Sequence, residues 1–160
     1  MASSGSKYQS GRSGAEIAKL IRNEIKAACK ADGPLFGCKV SVRYRSATHR
    51  VAIDIEITET PASILNHERV LAVAANPYEV CRLPRYTPQG EAMLAAAQQI
   101  ADAYNRFESD IQTDYNNDAF FCSVTFDYGL AQRHEAAILC PVVLHPACCG
   151  CADCEERYAA

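Results

Sequence analysis

His145, Cys148, Cys149, Cys151 and Cys154 fall within ten consecutive residues, HPACCGCADC. Thiolates and imidazoles are the usual ligands of zinc and of iron–sulfur centres. Cys148, Cys151 and Cys154 form a C-x2-C-x2-C set, Cys149 can replace Cys148, and His145 stands three residues before Cys148. One imidazole and three thiolates complete the tetrahedron that zinc prefers, and the metal would order a tail with almost no apolar core of its own. An iron–sulfur cluster is the weaker alternative. Tyr158 stands where the fourth cysteine of a ferredoxin-type run would fall, so Cys140 would have to close the cage. The plain reading is an unliganded Cys-rich tail.

A second candidate is electrostatic. The chain carries a net charge of −3, but residues 1–50 hold ten Lys/Arg against three acids, whereas residues 51–160 hold six against sixteen. Lys19, Arg22, Lys26, Arg43 and Arg45 are the cations best placed to contact the phosphates of a nucleic acid. The competing reading is a solvated basic face that complements the acidic remainder of the same fold. Glu108, Asp110, Asp114 and Asp118 make an acidic stretch, but no EF-hand register fits it, and Asp and Asn are also ordinary turn formers. The scattered Cys29, Cys38, Cys81 and Cys122, with His49, His67 and His134, form no nucleophile–base signature. No Gly-rich phosphate loop, H-E-x-x-H or G-x-S-x-G is present, so catalysis is not expected.

The elements that must position these groups are legible in part. Ser13-Gly14-Ala15-Glu16 is a capping box, and Ile17, Leu20, Ile21 and Ile25 follow at helical spacing until Asp32-Gly33-Pro34, predicting a helix over 14–31. Residues 38–45 and 50–58 alternate apolar and polar, predicting a hairpin whose polar face sets Arg43 and Arg45 against Asp54 and Glu56. A short helix is expected around 66–75. Thr87-Pro88 opens a long one whose inner face is Met93, Leu94, Ala97, Ile100, Ala101 and Tyr104. After a loop, AFFCSVTFD predicts a strand with Phe120, Cys122, Val124 and Phe126 inward and Phe121, Ser123 and Thr125 outward; a final helical turn or two is expected around 129–139. The order α-β-β-α-α-β predicts an α+β fold: an antiparallel sheet of about three strands with helices on one face, followed by the Cys-rich tail.

The AKLIR opening of the first helix and the segment containing Ser109-Asp110, Thr113-Asp114-Tyr115 and Phe120-Phe121 to Val124 resemble a large-polyvalent-protein-associated domain (class twenty-nine) and similar small stand-alone actinobacterial and phage proteins. The resemblance spans roughly residues 7–130, leaves 59–86 unmatched and excludes the tail. It implies an accessory protein of a phage or other mobile element, or of its bacterial host, and it carries over no catalytic residue.

The expected organisation is a disordered N-terminal tail over 1–12, an α+β domain over 13–139 and a metal-binding tail over 140–160. No run of about 18 apolar residues suggests a membrane span. The odd cysteine count, nine, and a start without an apolar core point to a reducing cytoplasm. The expected function is that of a non-catalytic binding protein with a zinc-stabilised tail, its partner a nucleic acid or another protein. The alternatives are a protein-interaction module acting on a host factor and, behind it, a metalloenzyme or iron–sulfur protein.

Overall fold

The computed structural model describes residues 2–47, 50–78, 81–110, 115–116 and 118–140. The fold is α+β. The stretch expected to be one domain divides into two compact units, one comprising Met1–Pro61 and Glu91–Asp127, the other Ala62–Gly90 and Tyr128–Ala160.

In the first unit, α1 (Gly14–Ala28) opens with the expected capping box: the Glu16 amide donates to Ser13 Oγ and the Ser13 amide to the Glu16 carboxylate. Ile17, Ile21 and Ile25 are buried along one stripe. They lie against a sheet whose centre is β3 (Arg50–Glu59), paired antiparallel with β2 (Lys39–Ala47) and parallel with β6 (Phe121–Phe126). Ile53, Ile55 and Ile57 of β3 are fully excluded from water. Burying each contributes about 1.5–3 kcal/mol. Gly14 lets the first turn of α1 approach the hairpin, because a Cβ there would come within 2.6 Å of Val51 and 2.7 Å of Tyr44. In α3 (Pro88–Asp102), Met93, Ala97 and Ala101 are buried and Leu94 and Ile100 half-buried; Met93 Sδ lies 4.0 Å from Sγ of Cys38, the residue before β2.

The sheet is mixed, not antiparallel throughout. A long connection containing helices separates β3 from β6, and such a crossover returns the chain parallel to its start. Alternation shows which residues face inward but not which way a strand runs.

A second small sheet occupies ground that composition assigns to a disordered tail and a loop. Ala2–Ser4 (β1) pair antiparallel with Arg106–Asp110 (β4), which pair in turn with Tyr115–Asn116 (β5). Two contacts hold the N-terminal segment down: the Gly5 amide donates to the Asn105 carbonyl at 2.8 Å and the Lys7 amide to the Ala103 carbonyl at 2.7 Å. Gly5 is required there, since a Cβ would sit 2.2 Å from the Asp102 carbonyl oxygen. Lys7 also pairs with Glu24, which accepts from the Tyr104 hydroxyl at 2.8 Å. Burial raises the Glu24 carboxyl, but the bonds from Lys7 and Tyr104 outweigh it and hold the group below its ordinary value. None of these partners is near in sequence, so local composition could not show them.

Among the described residues of this unit, Asn105 is the buried polar one, 2% exposed. Its side chain donates to the Phe120 carbonyl (3.0 Å) and accepts from the amides of Phe120 (3.3 Å) and Arg106 (2.9 Å), so one amide ties the end of the long helix to the start of β6.

In the second unit, α2 (His67–Ala75) is capped by the Asn66 side chain. The segment before it runs beside 85–87 through bonds from Asn66 to the Arg85 carbonyl and from Thr87 to the Ile64 carbonyl. Arg69 of α2 donates to the carbonyls of Cys81 (2.9 Å) and Leu83, fastening the irregular stretch that follows. α4 (Tyr128–Leu139) packs against α2. Its His134 accepts the Ile64 amide on Nδ1 at 3.2 Å. That bond requires a neutral ring. Burial, with the charge of Arg133, lowers the imidazole below its ordinary 6.5. The unfolded chain therefore binds this proton more readily, so the bond's contribution is complete above about pH 6.5 and is lost as pH falls through the lowered folded value. Amide exchange at Ile64 should accelerate between pH 7.5 and 5.5 beyond the intrinsic rate, and His134→Phe should remove that excess dependence. Equal excess dependence in the variant would assign it to another group.

Candidate interaction surface

The five cations expected to contact phosphate do not form one surface. Lys19, Arg22 and Lys26 belong to α1, on the inner side of the sheet, and recur at helical spacing along one stripe. Lys19 and Lys26 are exposed. Arg22 is half-buried, and its Nη2 donates to the Val42 carbonyl at 2.6 Å, on the outer edge of β2.

Arg43 and Arg45 project from the opposite face. Register places Arg43 beside Asp54 and Ser41 beside Glu56, and the ion pairs run diagonally between them. Arg45 makes a two-pronged contact with Asp54, Nε–Oδ2 at 2.5 Å and Nη2–Oδ1 at 2.8 Å. Arg43 reaches Glu56 at 3.5 Å, and Lys39 pairs with Glu59 at 2.8 Å. The Asp54 contact, by hydrogen bonding and charge, raises the Arg45 guanidinium further. Such exposed pairs contribute only about 0–1 kcal/mol each. They matter because an arriving phosphate would meet a carboxylate beside each arginine, so the patch as a whole is close to neutral.

On the same outer face, β6 presents Phe121, Ser123 and Thr125, in line with Ala52, Asp54 and Glu56 of β3. Phe121 is 60% exposed. Within its own unit, this face is an open sheet surface with two arginine–carboxylate pairs and an uncovered phenyl ring. The alternation of AFFCSVTFD signals this: Phe121 is the large apolar residue on a side otherwise carrying Ser and Thr. Phe120 and Phe126, expected to face inward, are buried, and Tyr44 of β2 is partly exposed near the N-terminus of α1.

The thiols of this body are free. Burial pushes Cys38 up to about 11, with a further push from Cys29, and pushes Cys122 up to about 12, with further pushes from Asp102 and Asp54. Both stay protonated at neutral pH, the behaviour of packed thiols. Among the described residues, no three His, Cys, Asp or Glu side chains are grouped so as to hold a metal ion. The tail set, His145, Cys148, Cys149, Cys151 and Cys154, lies outside the described residues, as do His49 and Asp114. No helix among the described residues is long and apolar enough to cross a membrane. Compared with protein-family models, curated proteins and solved structures, the chain matches none.

Proposed function

We propose that this chain is a non-catalytic accessory protein that acts by binding, and that its partner is a protein met by the open face of the sheet. The observation that carries this choice is the pairing of Arg43 with Glu56 and of Arg45 with Asp54 beside the exposed Phe121. Exposed aromatic and arginine side chains are enriched in protein interfaces. A polyanion site would instead present cations without acids between them. Nucleic-acid binding remains as the second reading, carried by Lys19 and Lys26 on α1. The resemblance to polyvalent-protein-associated domains supports a setting in a phage or other mobile element or its bacterial host, and the cysteine usage supports a reducing cytoplasm. The tail, in this proposal, is a zinc-ordered appendage that stabilises or presents the binding body.

A photo-crosslinking amino acid placed at Phe121 should give one discrete protein adduct in an extract of the source cell. The same probe at Tyr78, which is 96% exposed in the other unit, should not. Equal yields at both positions, or none at Phe121, would remove the open face from the proposal.

A further inference from the structure

The sheet order β2-β3-β6 leaves β6 at an edge. Its backbone groups alternate in direction. The Asp127 amide donates to the Ile57 carbonyl at 2.9 Å, and the parallel register pairs Ile53 with Cys122 and Ile55 with Val124. Phe121, Ser123 and Thr125 therefore turn their amides and carbonyls toward β3, while Cys122 and Val124 turn theirs outward. Phe120 also points outward, and there the Asn105 side chain takes both its amide and its carbonyl. Among the described residues, nothing bonds the outward groups of Cys122 and Val124. The other edge of the sheet is defended: Arg22 takes the Val42 carbonyl of β2, and Lys39, Arg43 and Arg45 line that strand. FCSVTF carries no charge and no proline.

We infer that β6 pairs antiparallel with β6 of a second copy of this chain, across a two-fold axis at Ser123. In that register Cys122 faces Val124 of the second copy, and Val124 faces Cys122 of the second copy. Each is a hydrogen-bonded pair, so every outward group left open between Phe121 and Thr125 is used. The next pair would begin at Phe120, where Asn105 already ends the ladder. Phe121 comes opposite Thr125 on the outer face, and the two Ser123 side chains meet at the axis. Asp127 comes opposite Ala119, so the carboxylate nearest the strand does not meet its twin. The strand is its own complement in face, size and charge, which singles out a second copy over a foreign strand. The pairing is independent of the partner proposed above; it uses the strand edge and extends the outer face, with Phe121 beside Thr125 of the second copy.

Sedimentation equilibrium of the full chain should show a monomer–dimer equilibrium. Ser123→Lys sets two like charges opposite each other at the axis without touching the backbone bonds to β3, and should weaken association about fivefold or more. Ser123→Glu should do the same, and mixing the two variants should restore the dimer, which a simple folding defect would not do. In the dimer, amide exchange at Cys122 and Val124 should slow as concentration rises, while Ser123 and Thr125 are protected throughout. A chain that stays monomeric up to its solubility limit would overturn the inference. So would a dimer that Ser123→Lys leaves unchanged.

Discussion

Asn105→Ala is expected to lower the stability of the first unit by about 2–5 kcal/mol, since each buried backbone group left without a partner costs about 1–3 kcal/mol. Three bonds are lost, two of them to the amide and carbonyl of Phe120, a residue itself 2% exposed. Water cannot easily replace them there. Asn105→Asp is the sharper variant: a carboxylate still accepts from the Phe120 and Arg106 amides but cannot donate to the Phe120 carbonyl, and it buries a charge. Both variants should shift the urea midpoint downward, with the aspartate partly recovering at acidic pH as it becomes protonated and regains a donor. A shift of less than about 0.5 kcal/mol for the alanine variant would mean that Phe120 finds other partners.

The second large effect concerns metal content. Full-length protein purified without a histidine tag is expected to carry about one zinc per chain, and protein truncated after Leu139 none. Because the cysteines must lose protons to bind, zinc content should fall as pH is lowered, and loading the apo form should release protons. Replacing Cys151 and Cys154 with serine should abolish binding. Replacing Cys149 alone should have less effect if Cys148 is the ligand. Iron with visible absorbance would move the tail to a cluster, and no metal in full-length protein would end the zinc proposal.

Much of the body is legible in the sequence because its signals are local. Ser13 and Glu16 are three residues apart, Thr87 and Pro88 are adjacent, and the hairpin alternation needs nothing beyond its own two strands. The facing of Arg43 and Arg45 against Asp54 and Glu56 also follows from that alternation, and the structure places all four on one face. What alternation could not decide was whether those arginines were spoken for, because the same residues fit an ion-pair ladder and a phosphate surface. Arg22 was opaque for another reason: its partner is a strand carbonyl twenty residues away. The direction of β6, the pairing of Ala2–Ser4 with β4 and the role of Asn105 likewise depend on partners distant in sequence. Composition reads Ser- and Gly-rich ends as loose, and Gly5 shows the opposite use, a glycine needed because two carbonyls crowd it.

The proposed choice of a protein partner stands or falls on whether the paired arginines are open to phosphate. Titrating the full chain with single- and double-stranded nucleic acid, at low salt and again at about 0.15 M, tests this directly. At low salt we expect weak binding that vanishes at the higher salt, is reduced by Lys19→Ala with Lys26→Ala, and is unchanged by Arg43→Ala with Arg45→Ala. Saturable binding that persists at the higher salt and is lost with Arg43 and Arg45 would contradict the account and make the open face a nucleic-acid surface.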